Sequence, residues 1–301
     1  YPGLKRSKLT LDMKKIYMAI MAAMAISACE TKHIDREGPE LVTVTMSLNC
    51  GADTKANSPL IPDVENLIYD VWILQYDKMG LLIDAGTSHK RATSTGSLTT
   101  NIEATLAVGE GCTLCFLANL DRGVEDSPRV WPQTLTEFKN SPDVVDLTAD
   151  INAANNGTLT DMPMNGYWEG NITSEVRNIQ ASLGRMMTRV NLIVNNTSTS
   201  PYTIQSLTNV SKKVYAFPNV IHEPLPTDAY TEFEINQEVA AKSLKELYFY
   251  MAPNFNDGTN AVRLNIEGKD PVILSNGSPS DTPRDYNLYH NSNYTFTISI
   301  K

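Results

Sequence analysis

The sequence predicts an all-β protein built from two β-sandwich domains, and three observations lead to this prediction. Strand-like segments with alternating apolar and polar residues recur along most of the chain. The segments between them are rich in Asn, Ser, Gly and Pro, which are typical of turns. Strands do not alternate with long helical segments, so a parallel α/β sheet is not expected. With 301 residues, of which 42% are hydrophobic, the chain is long enough to bury two cores.

The first predicted strand covers residues 41–48. Val42, Val44, Met46 and Leu48 alternate with threonine and serine. Because successive side chains of a strand point to opposite faces, the four apolar residues share one face. This pattern predicts a half-buried strand.

The later strands follow two patterns. A denser apolar run at residues 67–76 is typical of a strand covered on both faces, and residues 77–80 predict a turn into a hairpin partner at 81–83. Further strands are expected at residues 98–106, 112–119, 190–195, 202–210, 247–252, 261–266, 272–274 and 294–300.

Two short helices are expected at the periphery of the sheets. Thr134 and Glu137 match a capping box for a helix at residues 134–140, and Pro142 would end it. A second helix is expected at residues 237–245, where four apolar residues follow roughly helical spacing: Val239, Ala240, Leu244 and Leu247.

The two sandwiches are expected to meet after a loop-like stretch at residues 157–170. We therefore predict an N-terminal domain at 29–172 and a C-terminal domain at 173–301.

An export signal precedes the first domain. Lys14 and Lys15 are followed by an uncharged apolar segment that is too short to span a membrane as a mature helix, and small residues then lead into Cys29. Residues 13–28 thus predict a lipoprotein signal peptide, with Cys29 as the lipid-carrying first residue of the mature chain. An ordinary export signal with a coincidental cysteine is the alternative. Residues 1–12 are interpreted as an upstream extension.

Composition excludes several kinds of partner. The net charge is −9, and lysine and arginine are scattered, so the basic stripe of a nucleic-acid-binding surface is missing. No later segment reaches the roughly eighteen apolar residues of a membrane span, which leaves the lipid as the predicted membrane attachment.

Chemical motifs are few, and no metal site, cofactor or catalytic site is predicted. Cys112 and Cys115 lie three residues apart on a predicted strand and so face opposite sides, which favours free thiols over ligands; an oxidised pair is the alternative. The remaining candidates lie in segments without a catalytic motif: His33, His89, His222, His290, and the acid pairs Asp143 with Asp146 and Glu232 with Glu234.

Four segments together resemble the Bacteroidales fimbrillins, the FimA-like pilins of type V pili. Residues 161–166 are similar to the PM-x-G landmark that closes their N-terminal domain, and residues 181–194 to the L-x-R-x-x-A-R/K-V strand that follows, with Thr188 in place of the usual alanine. Residues 248–254 resemble a tip-type YY-x-P/A-E-N element. Residues 285–300 resemble the closing F-N-x-x-R-N-x-x-Y strand, with His290 in place of arginine.

The resemblance implies transthyretin-like Greek-key sandwiches and a subunit of a surface fimbria. Such a precursor reaches the outer membrane as a lipoprotein, and a trypsin-like protease cuts the loop after the first strand. That strand then leaves, and a strand from another pilin subunit replaces it. The strand that would leave here contains the apolar residues Leu41, Val42, Val44, Met46 and Leu48.

The loop after the first strand carries one basic residue, Lys55, so the resemblance places the cut between Lys55 and Ala56. Arg36 is the alternative, although a cut there leaves the strand attached. An uncut chain would keep its lipid and act as an anchor subunit.

The chain stops directly after its last predicted strand, without a further segment to donate, which favours a tip or minor subunit over a stalk subunit. A different class of function stays open, namely a surface lipoprotein that binds glycan without polymerising. Aromatic side chains in loop-like stretches would then hold the sugar: Trp131, Tyr167 and Trp168.

Overall fold

The computed structural model describes residues 38–50, 63–92, 96–121, 129–218 and 223–301. Strands account for most of these residues, and the few helices are short. None of the helices in these ranges has the length and hydropathy that a membrane-spanning helix requires. The predicted all-β class is therefore confirmed.

Most strands of the first half surround one core, and most strands of the second half surround another. Val214 and Tyr250 lie on strands of the second half but belong to the first core. The first group is β1 (Leu41–Cys50), β2 (Asp70–Tyr76), β3 (Ser88–Arg91), β4 (Thr99–Ala107), β5 (Gly109–Ala118), β6 (Val145–Asp146), β7 (Met164–Ile172) and β8 (Asn178–Arg185). The second group is β9 (Thr188–Asn196), β10 (Tyr202–Ser211), β11 (Lys213–Val214), β12 (Tyr230–Val239), β13 (Ser243–Met251), β14 (Arg263–Ile266), β15 (Val272–Ile273) and β16 (Asn293–Ile300).

Seven strands of the first half are hydrogen-bonded in the order β3-β2-β5-β7-β8-β1-β4. The pairing between β7 and β8 is short, since it joins only Met164 with Arg185 and Asn165 with Gly184. One core cluster is nevertheless lined by strands from both ends of this order. The seven strands thus form two layers that enclose that core, connected where β7 meets β8.

The second half has a four-stranded sheet, β12-β10-β14-β15, and a three-stranded sheet, β13-β9-β16. Val190, Leu192 and Val194 of β9 are fully buried and belong to the same core cluster as Ile204 and Leu264 of the facing sheet. The alternation of β9 thus turns its valines and leucine towards this core and its polar residues away from it.

Residues 164–172, part of the predicted loop, form β7 instead. Gly166 lies so close to β8 that a Cβ atom on it would be 2.5 Å from the Ser182 carbonyl oxygen. Gly166, one of the glycines that predicted a loop, therefore serves the close approach of two strands.

The two helix predictions had different outcomes. A helix at Leu135–Asn140, α1, is confirmed, with the Thr134 side chain accepting a hydrogen bond from the Glu137 amide at 3.1 Å. The predicted helix at 237–245 is wrong, because a tight turn there joins β12 to β13. A helix that the sequence did not predict, α2, covers Thr148–Asn155.

The hairpin predicted at residues 81–83 is confirmed in a short form. After the predicted turn at 77–80, the Asp77 amide donates to the Leu81 carbonyl at 2.9 Å, and Tyr76 makes an antiparallel bridge with Leu82. The longer strands paired with β2 are β3 and β5.

The domain boundary after residue 172 stays a prediction. β8 pairs with β1 and β7 of the first sheet, and the second core begins at Val190. These pairings argue for a change between the halves near Met186 and Met187.

Candidate assembly site

The first strand lies inside its sheet, although it comes first among the described strands. β1 pairs antiparallel with β4, from Leu41 opposite Ala107 to Asn49 opposite Thr99. On its other side it pairs in parallel with β8, from Thr45 opposite Asn178 to Cys50 opposite Leu183. The space between β4 and β8, here called the β1 slot, is therefore filled by backbone hydrogen bonds on both sides.

One face of β1 belongs to the core. Val44, Met46 and Leu48 are fully buried, and Val42 is nearly so, whereas Leu41 is half exposed. At about 1.5 to 3 kcal/mol for each buried side chain, these four residues contribute roughly 6 to 12 kcal/mol to filling the slot. An empty slot would expose the core residues that this face of β1 covers, together with unpaired N–H and C=O groups of β4 and β8, and an added strand would satisfy both.

The segment that follows β1, residues 51–62, lies outside the described residues. Lys55 and Ala56 belong to it, and Arg36 and Cys29 lie in the likewise undescribed stretch 1–37. The structure therefore leaves the proposed cut and lipid sites as predictions.

The two ends of this segment are close to each other. The Cys50 thiol, at the end of β1, donates a hydrogen bond to Asn66 Oδ1 at 3.3 Å. Burial raises the pKa of Cys50. Asn66 ends a short 3-10 helix, Asp63–Asn66, that leads towards β2.

Glu65 of that helix is the centre of a buried polar cluster that the sequence did not predict. Its carboxylate lies 3.0 Å from Arg185 Nη1 and 3.8 Å from Arg189 Nη1. The Tyr250 hydroxyl donates a hydrogen bond to the same carboxylate. Burial and this hydrogen bond raise the pKa of Tyr250. The partners come from β8, β9 and β13, so the cluster joins the start of β2 to both halves.

Further contacts brace this cluster. The Arg185 backbone amide and Nε both donate to Asn291 Oδ1 at 3.2 Å. The Asn155 side chain, at the end of α2, makes two hydrogen bonds with the Tyr250 backbone, of 2.7 and 2.8 Å. The Arg189 guanidinium lies 4.9 Å from the centre of the Tyr248 ring. A small cavity lies beside these groups, lined also by Met162, Met187, Ser292 and Asn293.

Residues from three of the four segments with the fimbrillin resemblance meet at Glu65. Arg185 and Arg189 belong to the second segment, Tyr250 to the third, and Asn291 to the last. The residues of this cluster are spread over more than a hundred positions of the sequence, where only the fimbrillin resemblance relates them to one another.

The aromatic residues considered for glycan binding do not form a shared platform. Trp131 is buried and packs edge-on against Trp72, with ring centroids 5.3 Å apart. Trp168 lies against Gly170, where a Cβ atom would be 2.5 Å from its ring. Tyr167 is 46% exposed, with its ring 4.8 Å from that of Phe217. Trp131 and Trp168 are thus packing residues, and Trp168 and Tyr167 lie on a strand rather than in a loop.

The histidine and carboxylate side chains discussed next, which the sequence offered as candidates, contact neighbouring residues of the fold. His89 stacks on Trp72 and lies 3.2 Å from the Asp70 carboxylate. Asp143 forms an exposed ion pair with Lys213, and Glu232 accepts a hydrogen bond from Ser206. Groups of three or more potential metal ligands are absent from the described residues.

Comparison with known proteins identifies the fold. Neither a protein-family model nor a curated protein matches the chain. The tip fimbrial protein Mfa3 of Porphyromonas gingivalis, with C-terminal truncation, is 15% identical, with a TM-score of 0.57 over 87% of this chain and 96% of that one.

Two solved proteins assigned to cell adhesion are similar to the same extent. One, from Parabacteroides distasonis, is 15% identical with a TM-score of 0.54, covering 87% of this chain and 88% of its own. The other, from Bacteroides eggerthii, is 14% identical with a TM-score of 0.53, covering 87% and 86%. The resemblance to the Bacteroidales fimbrillins is thus confirmed in three dimensions, and the chain has the fold of the Bacteroidales fimbrial proteins.

Proposed function

We propose that this protein is a subunit of a bacterial surface fimbria, with a structural or adhesive role, and that it assembles by exchange of its first strand. The observation that carries the proposal is the position of β1. It is the first described strand, it fills a slot between two other strands, and a segment with a single lysine follows it. Its removal would open an apolar slot between β4 and β8 without interrupting the chain between any two other described strands.

The proposed route begins with export. Cys29 receives the lipid that holds the precursor at the outer membrane. A trypsin-like protease then cuts between Lys55 and Ala56, and β1 leaves with the lipid. A strand of another subunit fills the β1 slot, where the buried face of Val44, Met46 and Leu48 requires apolar residues at alternating positions.

Arg36 is the rival cut site within the same proposal. A cut there frees the lipid but leaves residues 41–50 in the sheet, so the slot stays closed. We also propose a tip or minor position in the fibre, which the similarity in fold to the tip fimbrial protein named above supports.

The test uses the full lipoprotein treated with trypsin and two variants, Lys55→Gln and Arg36→Gln. The expected result is a new N-terminus at Ala56 and loss of residues 29–55 in the wild type and in R36Q, with K55Q keeping its first strand. SDS-resistant ladders among the cut subunits would report strand exchange. An intact, lipid-bearing Cys29 after treatment, or an N-terminus at residue 37 alone, contradicts the exchange mechanism.

A peptide with the sequence of residues 41–49 tests the slot itself. The cut protein is expected to bind this peptide and to regain thermal stability. The control peptide carries serine at positions 44 and 46, which places hydroxyls on the buried face, and it should not bind. Equal binding of both peptides would mean that apolar burial does not select the donor strand.

A further inference from the structure

Glu65 lies just after the segment that contains Lys55, and its contacts reach into the second half of the chain. Its side chain is only 4% exposed. A carboxylate buried to this degree requires charged or hydrogen-bonding partners. Arg185, Arg189 and Tyr250 provide them, and Arg189 and Tyr250 belong to β9 and β13 of the second half.

The neighbouring Asn66 makes a much weaker contact, with Cys50 of β1. A thiol is a weak hydrogen-bond donor, and the sulfur lies 3.3 Å from Asn66 Oδ1. Ion pairs with good hydrogen-bond geometry are among the strong interactions of a buried site. Glu65 therefore fixes the chain that leads into β2 to the rest of the protein. The contact of this chain with β1, through Asn66, is weak by comparison.

We infer that Glu65, Arg185, Arg189 and Tyr250, here called the Glu65 latch, hold the downstream side of the cut in place while β1 leaves. The inference rests on the proposed function, because it gives the latch a role in that maturation step. Glu65 is a positioning residue: it keeps residues 63–76 attached to the body, so that β2 stays paired with β3 and β5. The pairing of β2 is then unaffected by the loss of β1, whose own partners are β4 and β8.

A consequence of this geometry is coupling between the two halves. Two residues of the latch lie in the second half, whereas the β1 slot lies in the first. A substitution of a latch residue in the second half, such as Tyr250, should therefore loosen residues 63–76. A purely local role for Tyr250 in packing β13 would leave residues 63–76 unchanged.

The experiment is amide hydrogen exchange of residues 63–76, measured in the intact protein and again after cutting at Lys55. The variants are Glu65→Gln and the milder Tyr250→Phe, which removes only the hydroxyl that bonds Glu65. Tyr167→Phe is the matched control, because Tyr167 is also a strand tyrosine, is 46% exposed and has its ring against Phe217. Glu103→Gln, exposed on β4, is the control for the loss of a carboxylate.

Exchange in residues 63–66 is expected to rise about tenfold in Y250F, and further in E65Q, with both controls within about twofold of the wild type. After cutting, the difference should extend into β2. If Y250F and E65Q exchange like their controls before and after a normal cut, the latch inference is overturned while the proposed function stands. If Lys55 is not cut, the proposed function fails, and the maturation role of the latch fails with it.

Discussion

The Gln75 side chain makes two hydrogen bonds with the backbone of a single residue, Ala107. Gln75 Nε2 donates to the Ala107 carbonyl at 2.7 Å, and the Ala107 amide donates to Gln75 Oε1 at 2.8 Å. The glutamine is fully buried on β2, and Ala107 ends β4, opposite Leu41 of β1. The Gln75 amide thus bonds the Ala107 backbone as a neighbouring strand would, and it holds the end of β4 beside the β1 slot.

Gln75→Leu is therefore expected to destabilise the protein by about 2 to 4 kcal/mol, because it leaves two buried backbone groups without partners. Urea denaturation measures this change in the free energy of unfolding. The control is Gln180→Leu on the exposed face of β8, where a change within about 0.5 kcal/mol is expected. Equal effects of the two substitutions would show that the Ala107 contact does not stabilise the fold.

Gly86→Ala should act through the same glutamine. A Cβ atom at Gly86 would lie 1.8 Å from Gln75 Oε1, so the amide has to move away from Ala107. We expect a loss of about 2 kcal/mol, and in the double variant with Q75L a combined loss smaller than the sum of the two. Additive losses, measured by the same denaturation, would mean that the alanine disturbs something other than this amide.

The local patterns of the sequence were sufficient for most strands. β1 and β16 alternate without interruption, and their buried faces are the predicted ones. The helix predicted at 237–245 failed because the same apolar residues fit two strands once a turn is placed between them. In that turn the backbone φ of Lys242 is 52°, which is uncommon for lysine, so the sequence does not indicate a turn at this position.

Features that depend on distant residues were not predictable in this way. The glycines of β7 predict a loop, whereas Gly166 serves the close contact with β8 rather than a turn. Glu65 carried no local signal, since its partners Arg185 and Tyr250 are 120 and 185 positions away. The resemblance implied that the first strand leaves a gap in its sheet. The sequence did not show which strands border this gap, and the structure was needed to find the order β8-β1-β4.

Met46 allows a direct test of the core contribution of β1. It is fully buried, opposite Ile102 on one side and Ile179 on the other. Met46→Ala is expected to lower the free energy of unfolding by about 2 to 5 kcal/mol through lost burial and a cavity. Thr43→Ala, on the exposed face of the same strand, is the control and should change it by less than about 1 kcal/mol. A small effect of M46A would mean that the slot binds its strand mainly through the backbone.

The cysteines of β5 should be unreactive while the protein is folded. Cys112 and Cys115 are free and buried, and burial raises the pKa of Cys115, so its reactive thiolate form is suppressed. In a Cys29→Ser variant under native conditions, we expect Cys50 to react first with a thiol reagent, and the β5 pair only after denaturation. Mass spectrometry without reductant would reveal a disulfide between Cys112 and Cys115 as a loss of about two mass units, which contradicts the structure.

Stability should also depend on the titration of Asp150 in α2. Burial, followed by the neighbouring Asp161, raises the pKa of Asp150 from its ordinary value of 3.8 to about 6. Between these two pH values the folded state binds more protons than the unfolded state, so this group lowers stability as the pH rises from about 4 to about 6. The penalty is fully present above that range, and because the carboxyl is partly exposed we expect it to be only about 1 kcal/mol.

Asp150→Asn removes the titration while keeping the shape of the side chain in the first turn of α2. The stability of D150N relative to the wild type should therefore increase by about 1 kcal/mol between pH 4 and pH 7.5, measured by urea denaturation at both values. Asn152→Ser, at an exposed position of the same helix, changes no titrating group and is the control, so its difference from the wild type should stay constant over this range. If D150N follows the control, the carboxyl of Asp150 titrates in the folded protein as it does in the unfolded chain, and the surroundings of α2 are more open to water than the packing of Ile151 and Ala154 implies.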